Sequence, residues 1–316
     1  MHIIYINLFI FVAHYKTMKR FIFISMIILL INRCFGFDFN RTVGGRAAAM
    51  GGTSVCERSL WSLQNNPAGL AYLEGWHLGL YYENLWMMKE TAFKSAGVAK
   101  AIPKVGCLGL SVHQFGGSLY SENKFGIAYA RDFGPYLQLG LQLDWLLLHW
   151  SDDYPNRHAF CYALGLQSQI TDKLRLGAIL SNPWGPKLGT LHEDRLPIVM
   201  RLGLAYQFTD SFIGQCELEK STGRSGFHLQ GGIEYCIFKR FSIRAGAQHN
   251  PDLLSFGVGY AIGRLHLDIA AQMHQVTGAA VQLGIGWNGT LKGSPTEWEV
   301  KRKTENGERK TENGKP

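Results

Sequence analysis

Charged and imidazole side chains recur on the polar faces of alternating segments from residue 144 onward. Carboxylate, guanidinium and imidazole groups in a shared interior can pair with each other, hold a polar ligand or transfer protons. The charged candidates are Asp144, Arg201, Glu234, Arg244 and Asp268. The histidines on the same faces are His228, His266 and His274. All of them point into one interior if the apolar faces turn outward.

The strongest pairing that the spacing predicts is between Glu234 and Arg244. A tight turn centred on Lys239 would place these two residues directly opposite each other on neighbouring strands. Directly opposed opposite charges stabilise a strand pair by up to about 1 kcal/mol. Such a pair favours a structural charge ladder that holds an internal plug, and the alternative is a site that grips a polar head group.

Signatures of catalysis are missing from the sequence. It has no Gly-x-Ser-x-Gly elbow and no clear order of triad residues. It also has no CxxC or Cys/His cluster, so we expect no metal and no cofactor. The glycines at 44–52 do not follow a strand, which argues against a nucleotide-binding loop. We expect a protein that is not an enzyme.

Three further histidines, His113, His149 and His158, fall near segment ends where aromatic residues also cluster. An interfacial girdle explains these aromatic residues without catalysis.

Between Trp76 and Trp287 the chain divides into about fourteen segments with a period of two. The clearest is Leu137–Trp145, where leucine or tryptophan at every odd position alternates with glutamine, glycine or aspartate. Because strand side chains alternate between faces, each segment has one apolar and one polar face. Similar segments are 227–237, 241–248, 254–262, 265–274 and 281–287.

The connections alternate between short and long. The short ones are 103–104, 132–135, 171–172, 209–210, 238–240 and 263. The longer ones are 85–90, 115–123, 149–156, 181–196, 219–225, 249–253 and 275–278. This alternation is typical of a closed outer-membrane barrel whose termini share the short-turn end. We therefore predict an all-β fold, a transmembrane antiparallel β-barrel of about 14 strands at residues 75–289. The alternative is a soluble β-sandwich, and the polar faces, rich in Gly, Gln and His with few Lys, favour the barrel. The sequence does not say which face points outward.

The amino-terminal residues predict export, and the carboxyl-terminal residues predict a polar tail. Met18-Lys19-Arg20 followed by the apolar run 21–31 resembles a signal peptide over residues 1–36, cleaved near Gly36, with Met18 as an alternative start. A retained anchor and a lipoprotein at Cys34 are the weaker alternatives. Residues 290–316 carry a charged repeat and predict disorder. The formal charge of +8 falls to +4 without the four basic residues of the signal, and no basic patch predicts nucleic acid binding.

Five cysteines remain after cleavage, an odd number without a complete disulfide framework: Cys56, Cys107, Cys161, Cys216 and Cys236. A hairpin turning near Gly223 would pair Cys216 with about Gln230. We therefore predict that Cys216 and Cys236 are not bonded.

Ahead of the first strand lie a small-residue stretch, 44–52, and Asn65-Asn66-Pro67-Ala68-Gly69-Leu70-Ala71. An Arg-Ala-x-x-Met-Gly-Gly stretch followed by Asn-Pro-Ala-Gly-Leu before such a barrel resembles the FadL-type outer-membrane superfamily. Later pieces, such as Gly232-Ile233-Glu234-Tyr235, are similar to its PorV/PorQ branch, which is associated with type IX secretion in Bacteroidota. The resemblance implies that residues 37–74 form a plug inside the barrel. Its gate residues would be Asn66, Pro67, Ala68, Gly69 and Leu70.

The resemblance implies a non-catalytic bacterial outer-membrane barrel that assists secretion or surface attachment of proteins. Its partners would be outer-membrane lipid and secreted or secretion-system proteins, docked by loops 149–156 and 181–196. The expected contact residues are Pro183, Trp184, Pro186, His192, Glu193, Asp194 and Arg195. The same loop could be a passive lid. The alternative function is a FadL-like passive channel for a hydrophobic small molecule, gated by the plug, and a third is a purely structural barrel.

Overall fold

The computed structural model describes residues 41–85, 88–134, 136–151, 155–188, 195–238, 240–274 and 278–289. Fourteen antiparallel strands form one closed barrel, in which each strand pairs with its sequence neighbours and β1 pairs with β14. The fold class predicted from the alternation is confirmed. The strands are β1 Trp76–Leu85, β2 Ala92–Ile102, β3 Gly106–Gly116, β4 Tyr120–Asp132, β5 Leu137–Trp150, β6 Arg157–Gln169, β7 Leu174–Ser181, β8 Val199–Thr209, β9 Phe212–Ser221, β10 His228–Ile237, β11 Phe241–His249, β12 Leu253–Ile262, β13 Leu265–His274 and β14 Gly278–Asn288.

The apolar face of the strands points outward. On β5, Leu143 is 55% exposed whereas its neighbour Gln142 is 2% exposed. The same inversion holds on β12, where Phe256 is exposed and Ser255 is buried. A soluble protein buries such residues, so this surface is built for apolar surroundings.

Both ends of the described barrel lie at the same rim, together with the short turns. The turn 263–264 illustrates their chemistry, since Gly263 adopts a φ of +59° that suits glycine in a two-residue hairpin. The opposite rim carries the longest connection, 182–198. One expected long loop is wrong: strands β3 and β4 continue into 115–123 and leave only residues 117–119 as a turn. Gly117 N donates to Tyr120 O at 2.8 Å and closes that turn.

Residues 41–74, here called the luminal segment, occupy the inside of the barrel. They contain two short helices, Gly45–Ala49 and Ser62–Asn65, and a 3-10 helix, Pro67–Tyr72. All but Ser59 and a few residues near its two ends are buried. No helix among the described residues has both the length and the apolarity to cross a membrane. The expected signal peptide, residues 37–40 and the tail 290–316 lie outside the described residues.

The five cysteines downstream of residue 40 are free. Cys216 is exposed on the outer face of β9 and faces Gly231 of β10, one residue from the expected Gln230. Cys236 occupies an inward-facing position on β10. The two thiols therefore lie on opposite sides of the wall.

Candidate functional site

The luminal segment is seated against a belt of glycines on the inner wall. An inward glycine on eleven of the fourteen strands lies so close to this segment that a Cβ atom would contact it. At Gly232 a Cβ would lie 2.6 Å from Met50 Cβ, and at Gly177 it would lie 2.7 Å from Val55 O. Glycine on the polar faces thus lets another backbone approach the sheet closely. The belt comprises Gly79, Gly97, Gly109, Gly140, Gly165, Gly177, Gly203, Gly232, Gly246, Gly257 and Gly284.

One buried ion cluster joins the luminal segment to strands β10, β11 and β13. Arg46 donates from Nε to Glu234 Oε2 at 3.0 Å and from Nη2 to Oε1 at 3.2 Å. Arg244 donates from Nε to the same Oε2 at 2.5 Å and from Nη1 to Asp268 Oδ1 at 2.5 Å. The predicted opposition of Glu234 and Arg244 is confirmed by the strand register. The third partner, Arg46, was not identified from the sequence, because it lies far away in the chain.

A second cluster surrounds Glu217 and Arg201. Glu217 Oε2 accepts hydrogen bonds from the backbone N–H groups of Ser54 and Val55 at 2.9 and 3.0 Å. Arg201 lies 3.3 Å from Glu217 Oε1 and donates to Asn65 O at 2.8 Å. Sequence reasoning missed Glu217, although its position on the polar face of β9 was a usable signal. Both clusters bind the luminal segment to the wall and place no charged group toward an open channel.

The five expected gate residues are all buried within the luminal segment. The Asn66 side chain accepts from Ala68 N at 3.2 Å and donates to Val55 O at 2.7 Å and to Leu166 O at 3.2 Å. Pro67 begins the 3-10 helix, and Gly69 packs so tightly that a Cβ would meet Glu57 O. Leu70 lies in an apolar cluster with Leu60, Leu63, Ala99, Cys107, Ala128 and Ala130.

Between the luminal segment and the long-loop rim the lining of the lumen changes from polar to apolar. On β5 the inward residues Gln138, Gln142 and Asp144 give way to Leu146 and Leu148. The unbroken leucines at 146–148 were the sequence signal for this change, because the run of four apolar residues at 145–148 interrupts the alternation. Leu188 and Leu196 of the connection 182–198 pack against these leucines from inside. We call this packed apolar region the vestibule and define it by Phe93, Phe115, Tyr120, Leu146, Leu148, Leu188 and Leu196.

A polar floor separates the vestibule from the luminal segment. Asp144 accepts from Gln142 Nε2 at 2.7 Å and lies 3.8 Å from Lys124 Nζ. Two small cavities, of about 10 and 20 Å³, lie on this floor. The larger is lined by Arg41, Gln64, Phe93, His113, Phe115, Glu122, Lys124 and Leu146. A volume of this size accommodates about one water-sized group.

The described part of the expected contact loop is partly buried and partly exposed. Leu188 is buried, whereas Trp184 is 77% exposed and its ring packs at a tilt against that of Tyr162, with the centroids 5.3 Å apart. Pro183 and Pro186 are half-buried, and Arg195 is exposed and pairs with Lys187 through an isolated antiparallel backbone β-bridge. His192, Glu193 and Asp194 lie outside the described residues. Among the described residues, no group of three His, Cys, Asp or Glu side chains is arranged to hold a metal ion.

The fold and its filled lumen define a fourteen-stranded antiparallel barrel with an internal N-terminal segment. Its fold is similar to that of the monoaromatic hydrocarbon channel CymD, with a TM-score of 0.60 and 14% identity over 79% of this chain and 99% of that one. It is also similar to the P. putida toluene transporter TodX, with a TM-score of 0.56 and 14% identity over 78% and 99% of the two chains. A Pseudomonas aeruginosa FadL homologue has a TM-score of 0.53 at 14% identity over 81% and 100%. These solved structures are FadL-type channels, and at this identity the likeness is one of fold. No protein-family model and no curated protein sequence matches the chain.

Proposed function

We propose that this chain is a non-catalytic outer-membrane barrel that admits hydrophobic small molecules into its lumen from the long-loop rim. The observation that carries the proposal is the vestibule. Its inward side chains are apolar or aromatic, while the inner wall beneath them is polar and charged. Such a lining stabilises an apolar ligand by removing its surface from water.

The outer surface supports placement in a bilayer. Exposed leucine, isoleucine, valine and aromatic residues cover the barrel wall, and the strands run from eight to fourteen residues. Transmembrane strands need about 9–11 residues when tilted. A closed barrel also satisfies its backbone hydrogen bonds internally, as a lipid-exposed sheet must. The signal-like residues 1–36 add to this support.

The comparisons support the same class of ligand. CymD is described as a monoaromatic hydrocarbon channel and TodX as a toluene transporter, and both share this fold. This likeness supports the channel function more strongly than the secretion-associated function of the PorV/PorQ branch. Toluene is therefore the first probe to use.

Passage through this barrel requires side chains to move, because its two floor cavities hold about one water-sized group each. The luminal segment is fixed by two buried ion clusters, whereas Leu188 and Leu196 belong to a surface connection. We therefore place the first movement in the side chains of Leu188 and Leu196, which cover Leu146 and Leu148 from inside. The Asn66–Leu70 element lies deeper in the lumen, toward the short-turn rim, where Leu70 packs against Cys107 and Ala130.

The test is equilibrium dialysis of radiolabelled toluene against the purified barrel in detergent. We expect saturable binding that Leu148→Asn weakens about tenfold, since the amide would be buried beside the ligand. Leu119→Asn is the matched control, because Leu119 is 76% exposed on the turn 117–119, outside the vestibule. Toluene binding that does not saturate, or equal losses in both variants, would contradict the proposal.

A second candidate is docking of a secreted protein, and exposed Trp184 favours it. A large aromatic side chain on a connection at the long-loop rim is typical of an interface anchor. Affinity purification from outer membranes in mild detergent, followed by mass spectrometry, would test it. A stoichiometric secreted protein that is lost with Trp184→Ala, and retained with Trp150→Ala, would favour docking. A barrel purified alone from both would remove this candidate.

A further inference from the structure

We propose that the floor of the vestibule recognises a neutral hydroxyl group, so that the preferred ligand is a hydroxylated apolar molecule such as a phenol. This inference rests on the proposed function and names its ligand class. It comes from two buried polar groups on the floor, the His113 imidazole and the Gln64 side-chain carbonyl.

His113 is the central observation. It is 3% exposed, and neither ring nitrogen has a hydrogen-bond partner among the described residues. Its ring stacks on Phe93 with centroids 5.9 Å apart and an interplanar angle of 19°. Leaving a buried imidazole without partners is costly, so a group that hydrogen-bonds to it would bind favourably.

Gln64 provides a second unpartnered group at the same place. Its Oε1 atom is buried without a hydrogen-bond partner, and its side chain lines both floor cavities. Ser95 and Ser111, which point inward on the neighbouring strands, also have unpartnered hydroxyl oxygens. The floor therefore offers several unpartnered hydrogen-bonding atoms beneath the apolar vestibule.

The charges around the cavity favour a neutral head group over an ion. Lys124 lies directly opposite His113 across the β3–β4 pair, so a protonated imidazole would face an ammonium group. The cavity is lined by two cations, Arg41 and Lys124, and by Glu122, while Asp144 lies 3.8 Å from Lys124. Two positive and two negative groups leave no net charge to attract a carboxylate or an amine.

The hydrogen-bonding pattern then selects a hydroxyl. A neutral imidazole presents one donor and one acceptor, and Gln64 Oε1 is an acceptor. A hydroxyl group both donates and accepts, and its size matches the cavity of about 20 Å³. An aromatic body attached to this hydroxyl would lie above the floor, between Phe93 and Leu146. It would occupy the space that Phe115 leaves when that side chain moves toward the rim.

The experiment compares three ligands of one shape, toluene, p-cresol and 4-methylbenzoate, by equilibrium dialysis on the purified barrel in detergent. We expect p-cresol to bind about tenfold more tightly than toluene, which is the effect of about one net hydrogen bond. His113→Phe keeps the aromatic ring and removes both nitrogens, so it should abolish this difference while toluene binding remains. His158→Phe, at an exposed position of β6, is the matched control and should keep the difference.

Gln64→Met is the second variant if His113→Phe does not fold, and it should reduce the preference for p-cresol severalfold. Equal binding of toluene and p-cresol to the native protein would overturn the hydroxyl site and leave the proposed function standing. So would tighter binding of 4-methylbenzoate, or an unchanged preference in the folded variants. Failure of all three ligands to bind would overturn the proposed function and this inference together.

Discussion

Arg46 and Glu234, separated by 188 positions in the sequence, form a two-point ion pair inside the barrel. Nε and Nη2 of Arg46 donate to the two carboxylate oxygens of Glu234 at 3.0 and 3.2 Å. Arg244 contacts the same carboxylate from the wall at 2.5 Å. The carboxylate of Glu234, on β10, therefore binds Arg46 of the luminal segment and Arg244 of β11 at the same time.

Replacing Glu234 by glutamine should destabilise the barrel, because two buried guanidinium groups lose their shared charge. Breaking a buried ion pair on one side costs about 3–5 kcal/mol. Urea unfolding, followed by the shift in gel mobility between folded and unfolded barrel, measures the loss. Glu90→Gln is the control, since Glu90 is exposed on the 89–91 turn. A Glu234→Gln barrel as stable as the native one would refute the role of this cluster.

Gly232→Ala should disturb the seat of the luminal segment, whereas Gly231→Ala should not. A Cβ at Gly232 would lie 2.6 Å from Met50 Cβ, while at Gly231 the nearest atom, Gln215 O, is 3.9 Å away. Overpacking of this kind costs about 1–3 kcal/mol. Limited proteolysis should cut the Gly232→Ala protein between residues 41 and 74 faster than the native barrel. Equal cleavage of the two neighbouring variants would show that the belt is not tightly packed.

Asn66→Ala should loosen the luminal segment below the vestibule. The substitution removes three hydrogen bonds and leaves Val55 O, Leu166 O and Ala68 N with one partner fewer. Val55 O keeps a hydrogen bond from Gln167 Nε2, whereas a buried group left without any partner costs about 1–3 kcal/mol. In planar bilayers we expect larger ion currents through this variant than through the native barrel. The control is Asn123→Ala, on the wall of β4, which should conduct like the native protein. A native current through Asn66→Ala as well would show that the Asn66 side chain does not seal the lumen.

Cysteine labelling should distinguish the outer wall from the interior. Cys216 is exposed on the outer face, so a lipid-soluble maleimide should label a variant that keeps only this cysteine. Cys56 is buried in the luminal segment, and burial raises the pKa of its thiol to about 12. Because the thiolate is the reactive form, Cys56 at pH 8 stays protonated and should react only after unfolding. Fast labelling of Cys56 in the folded barrel would mean that the segment opens readily.

The sequence by itself determined the strand number, which side chains of a strand share a face, and the opposition of Glu234 and Arg244. These features follow from a period of two and from turn chemistry, which are local properties of the chain. The same locality explains the error at 115–123, where polar and glycine residues resembled a loop although the strands continue through them.

Only the tertiary structure decided which face lies outside, because alternation defines two faces and carries no information on the direction in which the sheet curves. It also brought Arg46 to Glu234 and placed Val55 beside Glu217, since such contacts join residues more than 150 positions apart. The glycines of eleven strands became a belt only once the luminal segment lay against them. His113 and Gln64 likewise share a cavity because the barrel closes around a segment that precedes it in the chain.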